Sequence, residues 1–105
     1  MKRQSTNPSS VDENPKQSTL ENLITNFSNE RFDYVFKEVN KLLSDYPKSF
    51  KLWNILGAIN TQMNKTQDAM QCYEKTIELR PDYAEAHNNL GNLLKTEGKY
   101  EKAII

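Results

Sequence analysis

Apolar residues recur at helical spacing from Leu20 onward. The first stripe stands at i, i+3, i+4 and i+7 and predicts a helix over about 17–28. Its members are Leu20, Leu23, Ile24 and Phe27. A second stripe begins after Asn29 and Glu30 and stops before Pro47, where helix is disfavoured. It contains Phe32, Val35, Phe36, Val39, Leu42 and Leu43. Together the stripes predict a pair of helices.

A longer period lies above this helical one. The stretch NILGAI at 54–59 returns as NNLGNL at 88–93, 34 residues later. Aligning 50–71 with 84–105 gives the identical pairs Asn54/Asn88, Leu56/Leu90, Gly57/Gly91, Lys65/Lys99 and Ala69/Ala103. Pro47 and Pro81 share the same offset. A fixed period of this length indicates a chain built from copies of one unit.

Each copy predicts two antiparallel helices joined by a tight turn. Asn64 in the middle copy and Gly98 in the last stand between the stripes, and both residue types tolerate positive φ. We therefore expect a left-handed residue at both positions. In the last copy, Asp82 and Glu85 predict a capped helix start, and this first helix should run to about Thr96.

Small residues recur where the paired helices should cross. Gly57 and Gly91 lie on the first-helix stripes, and Ala69 and Ala103 lie on the facing stripes. Small side chains at a crossing let helix axes approach closely. We expect the glycine to admit the partner helix in both copies.

Composition narrows the class of protein. Fourteen Lys and Arg balance fourteen Asp and Glu, so the positive field that gathers nucleic acid is missing, and no apolar run approaches the roughly 18 residues of a membrane span. We therefore expect neither nucleic acid nor membrane as a partner. The single Cys72 and a start without an apolar signal favour a cytoplasmic location. Residues 1–16 are polar and Pro-containing, which predicts a disordered tail.

The periodic residues resemble the tetratricopeptide repeat (TPR) family. Its signature Trp-Leu-Gly-Tyr-Ala-Phe-Ala-Pro is matched in the middle copy by Trp53, Leu56, Gly57, Asn60, Ala69, Tyr73, Thr76 and Pro81. The last copy has His87, Leu90, Gly91, Leu94 and Ala103 at the corresponding signature positions. The first copy departs from the signature, with Ile24 at the glycine and Val35 at the alanine. The resemblance implies an all-α fold, an α-α superhelix of about two and a half repeats. These are a degenerate repeat at 17–49, a full repeat at 50–83 and a truncated repeat at 84–105.

In this family the first helices line a concave groove, so the resemblance implies a binding surface beside their packed stripe. The predicted partner-binding residues are Glu21, Asn22, Thr25, Lys51, Asn54, Thr61, Asn88, Asn89, Asn92 and Lys95. Asn amides both donate and accept, so they can pair with a peptide backbone. The alternative is that Asn89 and Asn92 are simply common residues of the family. Some members clamp a terminal carboxylate, but Asn54 and Glu21 stand where the first clamp Lys would be, which argues against a clamp.

Enzyme chemistry finds little support. His87 and Cys72 could form a base and a nucleophile, but His87 takes the place of a packing Trp and Cys72 lies on a second helix, so packing roles are favoured. One His and one Cys make no metal-ligand set, and we expect no cofactor.

The sequence thus predicts a non-catalytic module that binds a protein or peptide in its concave groove. The alternative is a substrate-docking segment of a larger transferase of the glycosyltransferase or sulfotransferase type, because the stretch RPDYAEAHNNLGNLLKTEGKYEKAI resembles the repeats found in front of such catalytic domains. We also expect Leu90, Leu93 and Leu94 to be partly uncovered, since only seven residues follow Gly98. Such an end would favour self-association of the chain.

Overall fold

A computed structural model describes the backbone of residues 13–104 and the side chains of residues 13–98. This part of the chain forms five helices and contains no strand. They are α1 (Gln17–Ser28), α2 (Phe32–Asp45), α3 (Phe50–Gln62), α4 (Thr66–Leu79) and α5 (Ala84–Ile104). The predicted all-α helical solenoid is confirmed.

The predicted disordered tail falls mostly on residues 1–12, which lie outside the described residues. The last part of it is ordered: Pro15 is buried, and the Ser49 hydroxyl donates a hydrogen bond to Asn14 Oδ1. Ser49 Oγ also accepts from the Leu52 amide at 3.1 Å, which caps the start of α3. One buried hydroxyl thus ties the segment before α1 to the start of the middle repeat.

The core is built from alternate faces of consecutive helices. One buried cluster joins α1, α2, α3 and α4 and contains Leu20, Leu23, Val35, Val39, Leu52, Leu56, Ile59 and Cys72. A smaller cluster joins α4 to α5 through Ala69, Tyr73 and Leu93. Because each helix buries its stripe against its neighbours along the chain, α3 becomes the most enclosed element.

The 34-residue period also appears as a repeated hydrogen bond. The Trp53 indole N–H donates to the Pro47 carbonyl at 2.9 Å, and His87 Nε2 lies 2.7 Å from the Pro81 carbonyl. A carbonyl only accepts, so His87 Nε2 carries the proton. His87 is exposed, so it makes this hydrogen bond but does not have the packing role that we expected.

The structure has a left-handed residue at one of the two predicted turn positions, Asn64, but not at Gly98. Asn64 has φ 61°, which confirms the left-handed turn between α3 and α4. Glu30 takes φ 62° between α1 and α2, so the first repeat makes the same kind of turn with a residue that lacks the conformational freedom of glycine. The expectation for Gly98 is wrong, because α5 continues without interruption through Gly98 to Ile104.

The two first-helix glycines, Gly57 and Gly91, differ in how closely other residues approach them. A Cβ on Gly57 would lie 2.5 Å from Cε1 of Tyr73, so Gly57 admits the ring of α4 rather than its backbone. A Cβ on Gly91 would meet nothing within 4 Å, so the predicted close approach at Gly91 does not occur among the described residues.

The apolar residues near this end are only partly uncovered. Leu94 is 51% exposed and Leu90 is half-buried, but Leu93 is buried against the α4 cluster, contrary to expectation. Self-association through this end stays a prediction.

Candidate functional site

Two pockets lie on the face formed by α1, α3 and α5. The smaller, of about 200 Å³, is lined by Gln17, Leu20, Ile24, Lys51, Asn54, Ile55, Tyr83 and Glu85. The larger, of about 440 Å³, is lined by Phe27, Ala58, Thr61, Gln62, Tyr73, Glu85, Asn89, Asn92, Leu93 and Thr96. Glu85 borders both. We call the two pockets together the first-helix groove.

An amide pair joins the two pockets. Asn54 lines the smaller pocket and Asn89 lines the larger one, and Asn89 Nδ2 donates to Asn54 Oδ1 at 3.3 Å. Asn54 is only 4% exposed, so this hydrogen bond joins α5 to α3 at the buried base of the groove. Asn89 is half-buried and Asn92, one turn further along α5, is exposed. Amide groups of α5 therefore reach the open part of the groove.

Two charged residues of opposite sign border the smaller pocket. Lys51 makes no ion pair with any described residue, whereas Glu85 accepts a hydrogen bond from the Tyr83 hydroxyl at 2.8 Å. Burial, the bond to Glu85 and its negative charge together raise the pKa of Tyr83 to about 12. The hydroxyl therefore stays protonated at neutral pH and orients the carboxylate. The groove combines apolar walls with single, separated charges and carries no field of one sign.

The structure brings together only part of the predicted set. Lys51, Asn54, Thr61, Asn89 and Asn92 line the groove.

The other members lie elsewhere. Glu21 and Thr25 are exposed on α1 and line neither pocket. Asn88 and Lys95 are likewise exposed on α5 and line neither pocket. Asn22 borders a separate depression at the turn between α1 and α2.

Several residues that line the groove lie outside the predicted partner-binding set. Ile24 was placed in the α1 core stripe, but it is 53% exposed and lines the smaller pocket, while Leu23 beside it is buried. Phe27 and Tyr73 pack in the core and also reach the larger pocket. The available signal was the repeat offset: the left-handed residues Glu30 and Asn64 are 34 residues apart, which aligns Ile24 with the groove residue Ala58 and not with Gly57 as the family alignment implied.

The candidate enzyme residues are not assembled. Cys72 is 5% exposed in a pocket that His87 does not line, and burial raises the pKa of its thiol to about 11, so it is protonated at neutral pH. In the part of the chain that the structure describes, no cluster of His, Cys, Asp and Glu could hold a metal ion. No helix within residues 17–104 is both long and apolar enough to cross a bilayer.

Comparison with known proteins agrees with the repeat geometry. Residues 57–98 match the profile of the TPR repeat. The chain is 34% identical over 77 residues to a peroxisomal targeting signal receptor of Candida albicans, covering 73% of this chain and 13% of the receptor. The corresponding receptor of Eremothecium gossypii is 31% identical over 77 residues, with 73% and 14% covered. The tetratricopeptide repeat-containing protein trd-1 of Caenorhabditis elegans is 27% identical over 74 residues, with 70% and 10% covered.

The chain thus spans about an eighth of the length of the receptors that it matches. Nothing in these matches favours the transferase alternative. The repeated Leu-Gly motif, the paired antiparallel helices, the repeated ring-to-carbonyl bond and the profile match agree with one another. The chain therefore belongs to the tetratricopeptide repeat family of protein-interaction modules.

Proposed function

We propose that the first-helix groove binds an extended peptide segment of a partner protein. The observation that carries this is the Asn54–Asn89 amide pair, which links a small pocket and a large pocket on one face. An extended peptide places alternate side chains on opposite faces, so two pockets on one face suit two side chains of a single strand. The amides of the exposed Asn92 and the half-buried Asn89 suit the backbone between them.

The relatives suggest which kind of peptide to test. Four further relatives carry the same name as the Candida albicans protein, peroxisomal targeting signal receptor. A chain terminus reading Ser-Lys-Leu is a peroxisomal address. We propose that the partner segment of this chain is of this short, extended kind.

The groove argues against recognition dominated by a terminal carboxylate. Lys51 supplies a positive charge to the smaller pocket, and the Glu85 carboxylate, which lines the same pocket, reduces the attraction for a second carboxylate. A carboxylate gains a strong charge-assisted bond only where the cation is not offset. We therefore expect amidation of the peptide terminus to change its affinity by less than about threefold, well under the tenfold that corresponds to 1.4 kcal/mol.

The test uses a fluorescently labelled peptide that ends in Ser-Lys-Leu and measures anisotropy against this chain. The double variant Asn89→Ala/Asn92→Ala should weaken binding about tenfold or more, because each amide removed forfeits about 0.5–1.5 kcal/mol of hydrogen bonding. The matched control is Glu74→Ala, an exposed α4 residue outside the groove, which should leave affinity unchanged. Circular dichroism should show the same helical signal in all three.

Two results would count against the proposal. Equal weakening by the control would show that the groove is not the site. Absence of saturable binding to either the free or the amidated peptide would exclude this class of peptide as the partner.

A further inference from the structure

A third pocket, of about 430 Å³, lies on a different side of α3, between the second helices α2 and α4. Its lining residues form three levels by exposure. The buried floor is Leu56, Asn60 and Cys72, the half-buried wall is Phe36, Trp53 and Lys75, and the exposed rim is Asn40, Asp68 and Gln71. We call it the second-helix pocket. It shares no lining residue with the first-helix groove.

The floor of this pocket carries a polar group with unused capacity. Asn60 is only 4% exposed, and its Nδ2 makes a long bond of 3.5 Å to Cys72 Sγ. Among the described residues nothing donates to Asn60 Oδ1. Buried amide groups are ordinarily hydrogen-bonded, so the Asn60 oxygen at the floor of the pocket is an acceptor suited to a donor that enters the pocket. Cys72 is a poor partner because sulfur bonds weakly.

The wall favours an aromatic occupant. Phe36 and Trp53 present ring surface, and ring pairs gain beyond their buried area. The indole N–H of Trp53 is already bonded to Pro47, so it does not compete for the occupant. The volume lies within the range of roughly 300–1,000 Å³ that is typical of ligand sites.

We propose that the second-helix pocket binds a tyrosine side chain of a partner protein, with its ring against Phe36 and Trp53 and its hydroxyl paired with the Asn60 amide. The hydroxyl is at the tip of the ring, where it reaches the floor. It donates and accepts, so it pairs with either end of an amide, which an indole N–H does not. The rim supplies the Gln71 amide and the Asn40 amide oxygen to bond the peptide backbone on either side of the tyrosine, while Asn40 Nδ2 donates to the Phe36 carbonyl at 2.8 Å. This site is separate from the groove and does not rest on the proposed function.

The first experiment compares p-cresol with toluene, which has the same ring without the hydroxyl. Binding is followed by the NMR shifts of the Asn60 side-chain amide and the Trp53 indole, the single tryptophan of the chain. We expect p-cresol to bind about fivefold more tightly than toluene, the typical worth of one hydrogen bond. Equal affinity, or no saturable shift of these signals, would overturn the proposal.

The Asn60→Leu variant isolates the floor group. It replaces the amide by an apolar side chain of similar size next to Leu56, so toluene should still bind while the preference for p-cresol disappears. Asn88→Leu makes the same replacement at an exposed position of α5 that does not line the pocket, and it should keep the preference. A preference that survives in Asn60→Leu would show that the amide is not the partner of the hydroxyl.

A second arm identifies the source of the ring. The capped pentapeptides Gly-Gly-Tyr-Gly-Gly and Gly-Gly-Phe-Gly-Gly are titrated under the same conditions. We expect only the tyrosine peptide to shift the Asn60 amide, and more tightly than p-cresol. Binding of p-cresol without binding of the tyrosine peptide would show a site for free small molecules and would refute the protein partner.

Discussion

The first-helix glycines of the second and third repeats provide a controlled test of the packing argument. Gly57 and Gly91 occupy the same repeat position, 34 residues apart, and both lie within helices. A Cβ on Gly57 would lie 2.5, 2.7 and 2.9 Å from Cε1, Cδ1 and Cζ of Tyr73, whereas ordinary contact begins at 3.4 Å. Tyr73 is 3% exposed and packs with Ala69 and Leu93, so its ring can yield only toward the larger pocket that it also lines.

The magnitudes separate the two substitutions. Replacing Gly by Ala inside a helix gains about 1 kcal/mol in propensity at either position. At Gly57 the added methyl forces a shift of about 1 Å in a packed ring, and overpacking of this kind costs about 1–3 kcal/mol. Gly91→Ala should therefore stabilise the chain by about 1 kcal/mol. Gly57→Ala should be less stable than Gly91→Ala by about 1–3 kcal/mol, since the propensity gain cancels between them.

Thermal unfolding followed by circular dichroism measures the difference. For a domain of this size 1 kcal/mol corresponds to a shift of about 4–8 °C, so Gly57→Ala should melt at least about 4 °C below Gly91→Ala. The double variant Gly57→Ala/Tyr73→Leu should lose less than the sum of its parts, because removing the ring removes the clash. If Gly57→Ala melts as high as Gly91→Ala, the ring relaxes freely and the packing argument fails.

Three further predictions concern single local features. Ser49→Ala should lower the free energy of unfolding by about 1–2 kcal/mol because it removes the cap on Leu52 N, whereas Ser44→Ala, exposed on α2, should stay within about 0.5 kcal/mol in urea titrations. Glu30→Gly should raise the melting temperature by a few degrees, since a left-handed residue other than glycine costs about 1–2 kcal/mol and the added freedom of the unfolded chain takes back only part of that gain. The pKa of Cys72 is raised from 9.0 to about 11, so at pH 9 the native thiol should react with iodoacetamide on the order of fifty-fold more slowly than in urea. Because the folded state holds this proton more tightly, the thiol's contribution to the free energy of unfolding is present below pH 9 and is lost as the pH rises through 11. A native alkylation rate equal to the rate in urea would contradict the burial of the thiol.

Sequence periodicity predicted most of the helical framework because helix pairs bury regular stripes. The end of α1 at Ser28 and the Pro47 and Pro81 boundaries are local signals, and the structure keeps them. The sequence alone does not show that Ile24 is exposed or that Asn54 is buried, because both depend on tertiary packing. The azimuth of Ile24 is shared by core and groove, and α3 is enclosed by elements on more than one side, so its polar face is buried as well.

Asn64 and Gly98 show where a local signal is insufficient. Both residue types permit a left-handed turn, yet only Asn64 adopts one. Breaking a helix forfeits backbone hydrogen bonds, and this loss is offset after Asn64 by the packing of α4 on α3 through Ala69 and Tyr73. At Gly98 the backbone keeps its helical hydrogen bonds instead, and α5 continues to Ile104.

The packing of Tyr73 connects the stability of the repeat to the groove. One side of the ring lies on Gly57, and the residue also lines the larger pocket beside Asn89 and Asn92. A ring displaced by Gly57→Ala has to move toward the side where space exists, which is the pocket of about 440 Å³. Peptide affinity should therefore fall in Gly57→Ala although Gly57 does not line the groove, while Gly91→Ala leaves it unchanged. If Gly57→Ala loses stability but keeps full affinity, the ring moves into the core instead, and the groove is insulated from the repeat packing.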